Sequence, residues 1–341
     1  MTSTFEYPVG VLLFNRPHLA KHVLESLKNS SLPLDEKFLV FHIDGFVGSK
    51  NEENFESDKT RKTLLLVRKY FPDAHVISQK TNVGIAKSFY ILMSYVFHNF
   101  EAEFAVFQEE DVFLKTDYFA NMTFFLKAIF NENKIGAASV SDFDHYELRR
   151  PDKICPTFGT REFALRRDVF LRSQKIYEVY LESIGPKYRT KDLSKINESL
   201  AQFGIALPLP FQDVFQHEIL RLQGKLHLRL NIPGRFDANF SNGESIPGIS
   251  ILQTFRMLFS HTRKLKLEDK PPQPQEESYS YDLKFLEGEE NRIWESRFLG
   301  NEQISTKTNQ LALIRARNRL KVSNLNHFIE YIYIFRVRRG T

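Results

Sequence analysis

Phe-Ala-Val-Phe-Gln-Glu-Glu-Asp-Val-Phe, residues 104–113, passes directly from β-prone apolar residues to three consecutive carboxylates, Glu109, Glu110 and Asp111. Apolar side chains on either side of the acids predict a buried strand that delivers them at its carboxyl end. In open α/β sheets that edge is where ligands bind. Three adjacent carboxylates repel one another unless a cation or hydrogen-bond donors compensate them. A divalent metal carrying a diphosphate would do so, whereas a solvated acidic turn is the plainer reading of the same residues. The flanking sequence decides between the two.

Upstream, a first strand is predicted over 7–14, stopping at Asn15-Arg16-Pro17. Pro17 suits the first turn of a helix, and His18 to Leu27 has the apolar spacing of one. A second strand over Phe38 to Ile43 ends at Asp44-Gly45, and a polar loop over 48–59 leads into a helix reaching about Tyr70. His75 to Ser78 is a third strand, Ile85 to about Phe97 a helix, Glu103 to Gln108 the fourth strand and Tyr118 to Phe130 a further helix. Strands alternating with helices predict an α/β protein with a mostly parallel sheet flanked by helices.

The rhythm loosens afterwards. Strands are predicted over Ile135 to Val140, Glu162 to Leu165 and Lys225 to Leu230, and helices over Phe170 to Glu182 and Phe211 to Gly224. Arg235 to Ser250 is rich in Gly, Ser and Asn and reads as a loop. Residues 266–280, which include Lys270-Pro271-Pro272, read as a linker between a main domain over 1–265 and a helical carboxyl-terminal appendage over 281–341.

With 42% hydrophobic and 26% charged residues, the 341-residue chain can bury a large core. Cys155 is the only cysteine, which excludes an internal disulfide framework or a cysteine zinc site. No apolar run reaches the roughly 18–20 residues that span a bilayer, and the first residues lack the basic and apolar regions of a signal peptide. The expectation is a cytoplasmic protein. Arg315, Arg317, Arg319, Lys321, Arg336, Arg338 and Arg339 crowd the last 30 residues, where Glu330 is the only acid. That end suits peripheral contact with the inner face of a membrane, packing as a terminal helix, or pairing with another subunit in a homo-oligomer. No helix-turn-helix, zinc or ribonucleoprotein motif supports a nucleic-acid partner.

Three polar groups thus follow successive strands and fall on one sheet edge. Arg16 has the planar fork that binds phosphate, and Asp44 can accept hydrogen bonds from a base or ribose. Asn82-Val83-Gly84-Ile85-Ala86-Lys87-Ser88 places Gly84, Lys87 and Ser88 at a helix start, where free amides favour anions, without the spacing of a phosphate loop. Asp142, Asp144 and His145 follow the Ile135 to Val140 strand and could line an acceptor cleft or a solvated loop.

This order of motifs resembles the GT-A glycosyltransferases. His42-Ile43-Asp44-Gly45 resembles their nucleotide-contacting Asp, and Glu109-Glu110-Asp111 lies where they carry an Asp-x-Asp or Glu-Asp-Asp metal motif. The N-acetylglucosaminyltransferase I family, which starts complex N-glycans, and bacterial family 2-like enzymes are similar in particular. The former's Ile-Ala-Arg-His-Tyr is similar to Ile85-Ala86-Lys87-Ser88-Phe89, its Pro-Asp-Phe-Phe to Thr116-Asp117-Tyr118-Phe119, and its Val-Ser to Val140-Ser141. The likeness covers roughly residues 5–250.

The resemblance implies a nucleotide-sugar half over 1–130 and an acceptor half over 131–265. It implies a metal-dependent, inverting transfer from a nucleotide sugar, UDP by family frequency, to a glycan or lipid-linked glycan, as in polysaccharide biosynthesis. Asp111 would hold Mn²⁺ or Mg²⁺, and Glu110, Glu where the family has Asp, would lie near the donor sugar or ribose. Phe211-Gln212-Asp213-Val214 stands where the family has Trp-Asp-Asp-Trp opening a helix. Asp213, eleven residues before Gly224, would be the general base. Glu218 is the fallback base, and His217 reads as a helix-surface histidine. Arg235, Asn242 and Ser245 would close over the diphosphate. The rival functions are a sugar-phosphate nucleotidyltransferase, which normally has a glycine-rich amino-terminal loop, and a non-catalytic glycan-binding or scaffold protein.

Overall fold

The computed structural model describes residues 4–49, 52, 57–141, 154–157, 161–185, 192–232, 234–237 and 287–288. Asp142, Asp144, His145, Asn242, Ser245, the linker and nearly all of the helical appendage lie outside these residues. The chain divides into a unit over Met1–Leu286 and a second over Glu287–Thr341.

Four strands build the first half of the sheet: β1 (Val9–Leu13), β2 (Leu39–Ile43), β3 (His75–Ser78) and β4 (Phe104–Gln108), all parallel. They alternate with helices α1 (Pro17–Lys28), α2 (Ser57–Tyr70) and α3 (Ile85–Asn99). After β4 come β5 (Val112–Leu114), α4 (Tyr118–Ile129), β6 (Ile135–Val140), β7 (Ile154–Pro156) and β8 (Glu162–Arg166). Helices α5 (Arg167–Ile184), α6 (Leu193–Leu200) and α7 (Gln212–Leu222), then β9 (Leu226–Leu230) and β10 (Arg235–Asp237), complete the described part of this unit. Eight strands form one sheet in the order β3-β2-β1-β4-β8-β6-β9-β7, while β10 pairs β5 separately.

The expected α/β architecture, a mostly parallel sheet flanked by helices, is present. Its second half departs from parallel pairing, because β8 runs antiparallel to both β4 and β6, and β7 antiparallel to β9. The short strands β5, β7 and β10 and the helix α6 are additions to the sequence expectation. A three-residue strand carries too little alternation to show a period. Helix α6 lies in a polar stretch, started by Asp192, whose side chain accepts from the Ser194 and Lys195 amides, and anchored by buried Ile196 and Leu200.

Period-two alternation sends the strands' apolar residues to two cores. Val11, Leu13, Phe41, Phe104 and Val106 pack with α1, α2 and α4, where Leu24, Val67 and Phe125 are buried. Leu12, Val40, Ala105 and Phe107 pack on the opposite face with Phe89, Phe170 and Phe215 from α3, α5 and α7. Gly10 lies in β1 where an added Cβ would come within 2.9 Å of the Phe107 ring, so this glycine serves helix–sheet packing. At the edge away from the acids, Arg166 is 3% exposed and donates to the carbonyls of Ile129, Phe130, Glu132 and Ile135. It also pairs with Glu103 at 2.7 Å and so closes the end of α4.

Two buried histidines make stability pH-dependent. Burial pushes His42 down to about 4, and burial with the charges of Arg229 and Arg235 pushes His227 down to about 3. Ser139 gives its hydroxyl proton to the Glu162 carbonyl at 2.9 Å, so His227 Nε2 carries a proton and donates to Ser139 Oγ. Both folded values lie below the unfolded value of about 6.5. Their contribution is therefore complete above about pH 6.5 and is lost as pH falls toward the folded values. His227→Gln should flatten that loss by up to about 1.4 kcal/mol per pH unit. Urea midpoints at about pH 7 and pH 5 check it; equal pH dependence in variant and wild type would remove His227 from the account.

Candidate active site at the carboxyl edge of the sheet

Strands β1, β2 and β4 end side by side, and their parallel pairing places Asn15-Arg16, Asp44 and Glu109–Asp111 on one edge. The acid turn is closed from beneath. Gln108 is fully buried and donates from Nε2 to the Val112 carbonyl at 2.6 Å, while the Val112 amide reaches the Glu109 carbonyl at 3.3 Å.

Within that turn the three acids have different surroundings. Glu110 is 5% exposed; its Oε1 accepts from Arg16 Nε at 2.6 Å and its Oε2 from the Phe14 amide at 2.9 Å. Burial pushes its carboxyl up, against the pull of Arg16 and the Phe14 amide. Arg16 and Glu110, the expected phosphate and donor contacts, therefore hold each other and tie the turn to β1. Asp111 is equally buried. Glu109 is half-buried, and its carboxyl is pushed up to about 8 by burial and by the charges of Asp111 and Asp213, which outweigh Arg161 and Arg16.

The charge of Asp213, from the second half of the chain, is among those that bear on Glu109. Asp213 is exposed in the first turn of α7, one residue past its first helical position, and Phe211 rather than Asp213 is the cap residue. Its Oδ1 accepts from the Val214 amide at 2.9 Å. Glu218, the fallback, is ion-paired to Arg221 at 3.0 Å. His217 is 3% exposed and so is a buried residue, contrary to the surface position expected. Apolar Phe215, Ile219 and Leu220 turn toward the sheet and bring His217 under the same cover.

Asp44 organises the β3–α3 turn. Its Oδ1 accepts from the Gly45 and Val83 amides at 2.8 and 2.9 Å, and its Oδ2 from Asn82 Nδ2 and the Gly84 amide at 3.0 and 3.1 Å. Burial raises its carboxyl, opposed first by the Val83, Gly84 and Gly45 amides. Gly45 has no room for a side chain, since a Cβ would sit 2.6 Å from the Thr81 backbone. Gly84 takes φ 76° as it starts α3; behind it Ser88 is buried and Lys87 exposed. The motif around 82–88 and Asp44 are thus parts of one unit at the sheet edge.

Glu162 and Tyr118, which the sequence did not single out as site residues, complete the floor. Glu162 in β8 is fully buried opposite Gln108. Its carboxylate accepts from the Tyr118 hydroxyl at 2.8 Å and from Arg235 Nη1 at 2.9 Å. Arg235, expected over a diphosphate, is directed at Glu162. Nothing local in the sequence marks Glu162, because its partners lie 44 and 73 residues away.

Whether a divalent cation suits this edge can be judged from its donors. Hard carboxylate oxygens match Mn²⁺ or Mg²⁺, and the crowding that raises Glu109 is what a cation would relieve. Among the described residues no group of three or more His, Cys, Asp or Glu can hold a metal by itself. No described helix is long and apolar enough to cross a membrane.

No protein-family model matches the chain, and no curated protein does. Among solved structures, TarS from S. aureus in its 1–349 form is similar at 13% identity and a TM-score of 0.44, covering 78% of this chain and 75% of that one. The chain spans only 36% of the longer TarS structure, at a TM-score of 0.42. Mannosyltransferase PcManGT from Pyrobaculum calidifontis, in complex with GDP-Man and Mn2+, is similar at 14% identity and a TM-score of 0.38, covering 78% and 83%. A CMP:2-keto-3-deoxy-manno-octonic acid synthetase with CTP matches at 11% identity and 0.40, covering 75% and 99%. At such scores none of these likenesses decides a function, which has to come from the sheet edge itself.

Proposed function

We propose that the chain is a metal-dependent, inverting glycosyltransferase of GT-A architecture that moves a sugar from a nucleotide sugar, a UDP-sugar first, to a glycan or lipid-linked glycan. One observation carries this reading: the parallel strands β1, β2 and β4 end together, so that Asn15-Arg16, Asp44 and the Glu109–Asp111 turn share one sheet edge, and the charge of Asp213 at the start of α7 also bears on Glu109. The 1–130 and 131–265 halves would supply donor and acceptor contacts respectively.

In this function Asp213 takes the proton from the acceptor hydroxyl as that oxygen attacks the anomeric carbon. Asp111, with Glu109 beside it, holds the cation; Mn²⁺ or Mg²⁺ when bound would neutralise the leaving diphosphate. Arg16 and Glu110 orient the acid turn, and Asp44 holds the amides of 83 and 84 at the start of α3, where Lys87 and Ser88 sit. Gly10 lies inside β1 against Phe107, so it supplies no glycine-rich loop for the nucleotidyltransferase rival.

The test is a screen of UDP- and GDP-sugars for thermal stabilisation and donor hydrolysis with and without Mn²⁺. A cation-dependent rise with at least one of them is expected, about 2.7 kcal/mol at ligand a hundredfold above Kd. No response to any donor in the presence of Mn²⁺ would sink the proposal.

A further inference from the structure

We propose that Glu162, Tyr118 and Arg235 form a buried clasp in which Glu162 and Arg235 are positioning residues, fixing the acid turn at 109–111 against the strand that ends at Asp237. The proposal deepens the donor-binding reading above and rests on it for its consequence, though not for its geometry.

A fully buried carboxylate is costly to desolvate unless it is paired and hydrogen-bonded. Glu162 meets both needs, but from two other elements. Tyr118 is the first residue of α4, and Arg235 the first of β10. Each of these elements flanks the acids. Glu162 lies opposite Gln108, the residue before the triplet, and β10 pairs residue for residue with β5, the strand directly after it. Tyr118 follows β5 through the Lys115 amide's bond to the Gly234 carbonyl at 2.9 Å and its own amide's bond to Lys115 at 3.0 Å.

The β5–β10 ladder has three residue pairs, too short to fix its own position. Two contacts place it. Gly234 lies against the end of β6 so closely that a Cβ would come within 2.1 Å of the Val140 carbonyl oxygen. Arg235, next in the chain, reaches inward to Glu162. The segment is therefore wedged at one residue and tethered at the next. Replacing a buried ion pair with apolar residues of similar volume is often neutral or favourable for stability, so stability alone does not account for this one. What the pair adds is a fixed direction for Val112–Leu114 and hence for Asp111. Tyr118 keeps its proton for the bond, since burial and the Glu162 charge hold its hydroxyl well above the usual range.

The full chain carrying Glu162→Gln together with Arg235→Met tests this. The pair is removed as a unit, and the amide oxygen can still accept from Tyr118. Amide exchange at 112–114 and 234–237 should rise at least about tenfold, while calorimetric affinity for UDP with Mn²⁺ falls at least about tenfold. The thermal midpoint should stay within a few degrees of wild type. Unchanged exchange at those amides overturns the clasp, as does unchanged UDP affinity in a variant whose exchange has risen. If the double variant fails to fold, Tyr118→Phe, which removes one hydroxyl, should raise the same exchange rates several-fold; no rise overturns the proposal. Wild-type protein with no Mn²⁺-dependent UDP affinity would overturn the donor-binding reading instead, and exchange would then decide the clasp.

Discussion

Asp213→Asn should lower sugar transfer by about a hundredfold to ten-thousandfold, the range of a positioned general base. Donor affinity should change less than about twofold, since the residue would meet the acceptor rather than the diphosphate. The substitution is nearly isosteric, and the amide oxygen can keep the 2.9 Å contact with the Val214 amide. At an exposed position in a first helical turn the cost to stability should stay near about 0.5 kcal/mol. A second readout is independent of turnover: removing the Asp213 charge takes away one influence that raises Glu109, so Glu109 should titrate lower in the variant. Steady-state kinetics with donor binding measured separately checks the first outcome. Intact transfer would move the base elsewhere, and Glu218, already paired with Arg221, would be next to test.

Asp111→Asn should act on binding. Loss of a direct metal ligand should weaken Mn²⁺-dependent UDP affinity by at least about a hundredfold, beyond the range seen for outer partners of metal sites. The stability effect should have the opposite sign to that of an ordinary buried acid. Asp111 raises Glu109 by like-charge repulsion, so without metal the variant should be as stable as wild type or more so. Thermal midpoints with and without Mn²⁺ and UDP separate these effects. Wild type should gain stability with the ligands, and the variant should gain little. Equal gains would remove Asp111 from the cation site.

The sequence made the first half legible because each of its four strands is a short apolar run cut off by a polar signal, and each helix has its apolar residues at helical spacing. Asn15-Arg16, Asp44 and the acid triplet could be placed on one edge from that alternation alone. How the acids differ among themselves was not legible. The capture of Glu110 by Arg16 spans 94 residues, and it depends on how far α1 projects from β1. Glu162 was missed for the same reason, since a glutamate opening a strand reads as a solvent-facing residue until its partners are known. The antiparallel insertion of β8 likewise depends on which edge the returning chain finds, and local pattern does not encode that.

That insertion has a consequence for the growing chain. Strand β4 leaves the ribosome as Phe-Ala-Val-Phe-Gln, paired through β1 along one side only. Its other side waits for residues 162–166, more than fifty positions later. Until those arrive, a flat apolar strand with unpaired amides and carbonyls is open to any other chain that can add to it. A fragment that stops before β8 should therefore form intermolecular β-structure, whereas one that continues through Arg166 has its own strand to close the gap.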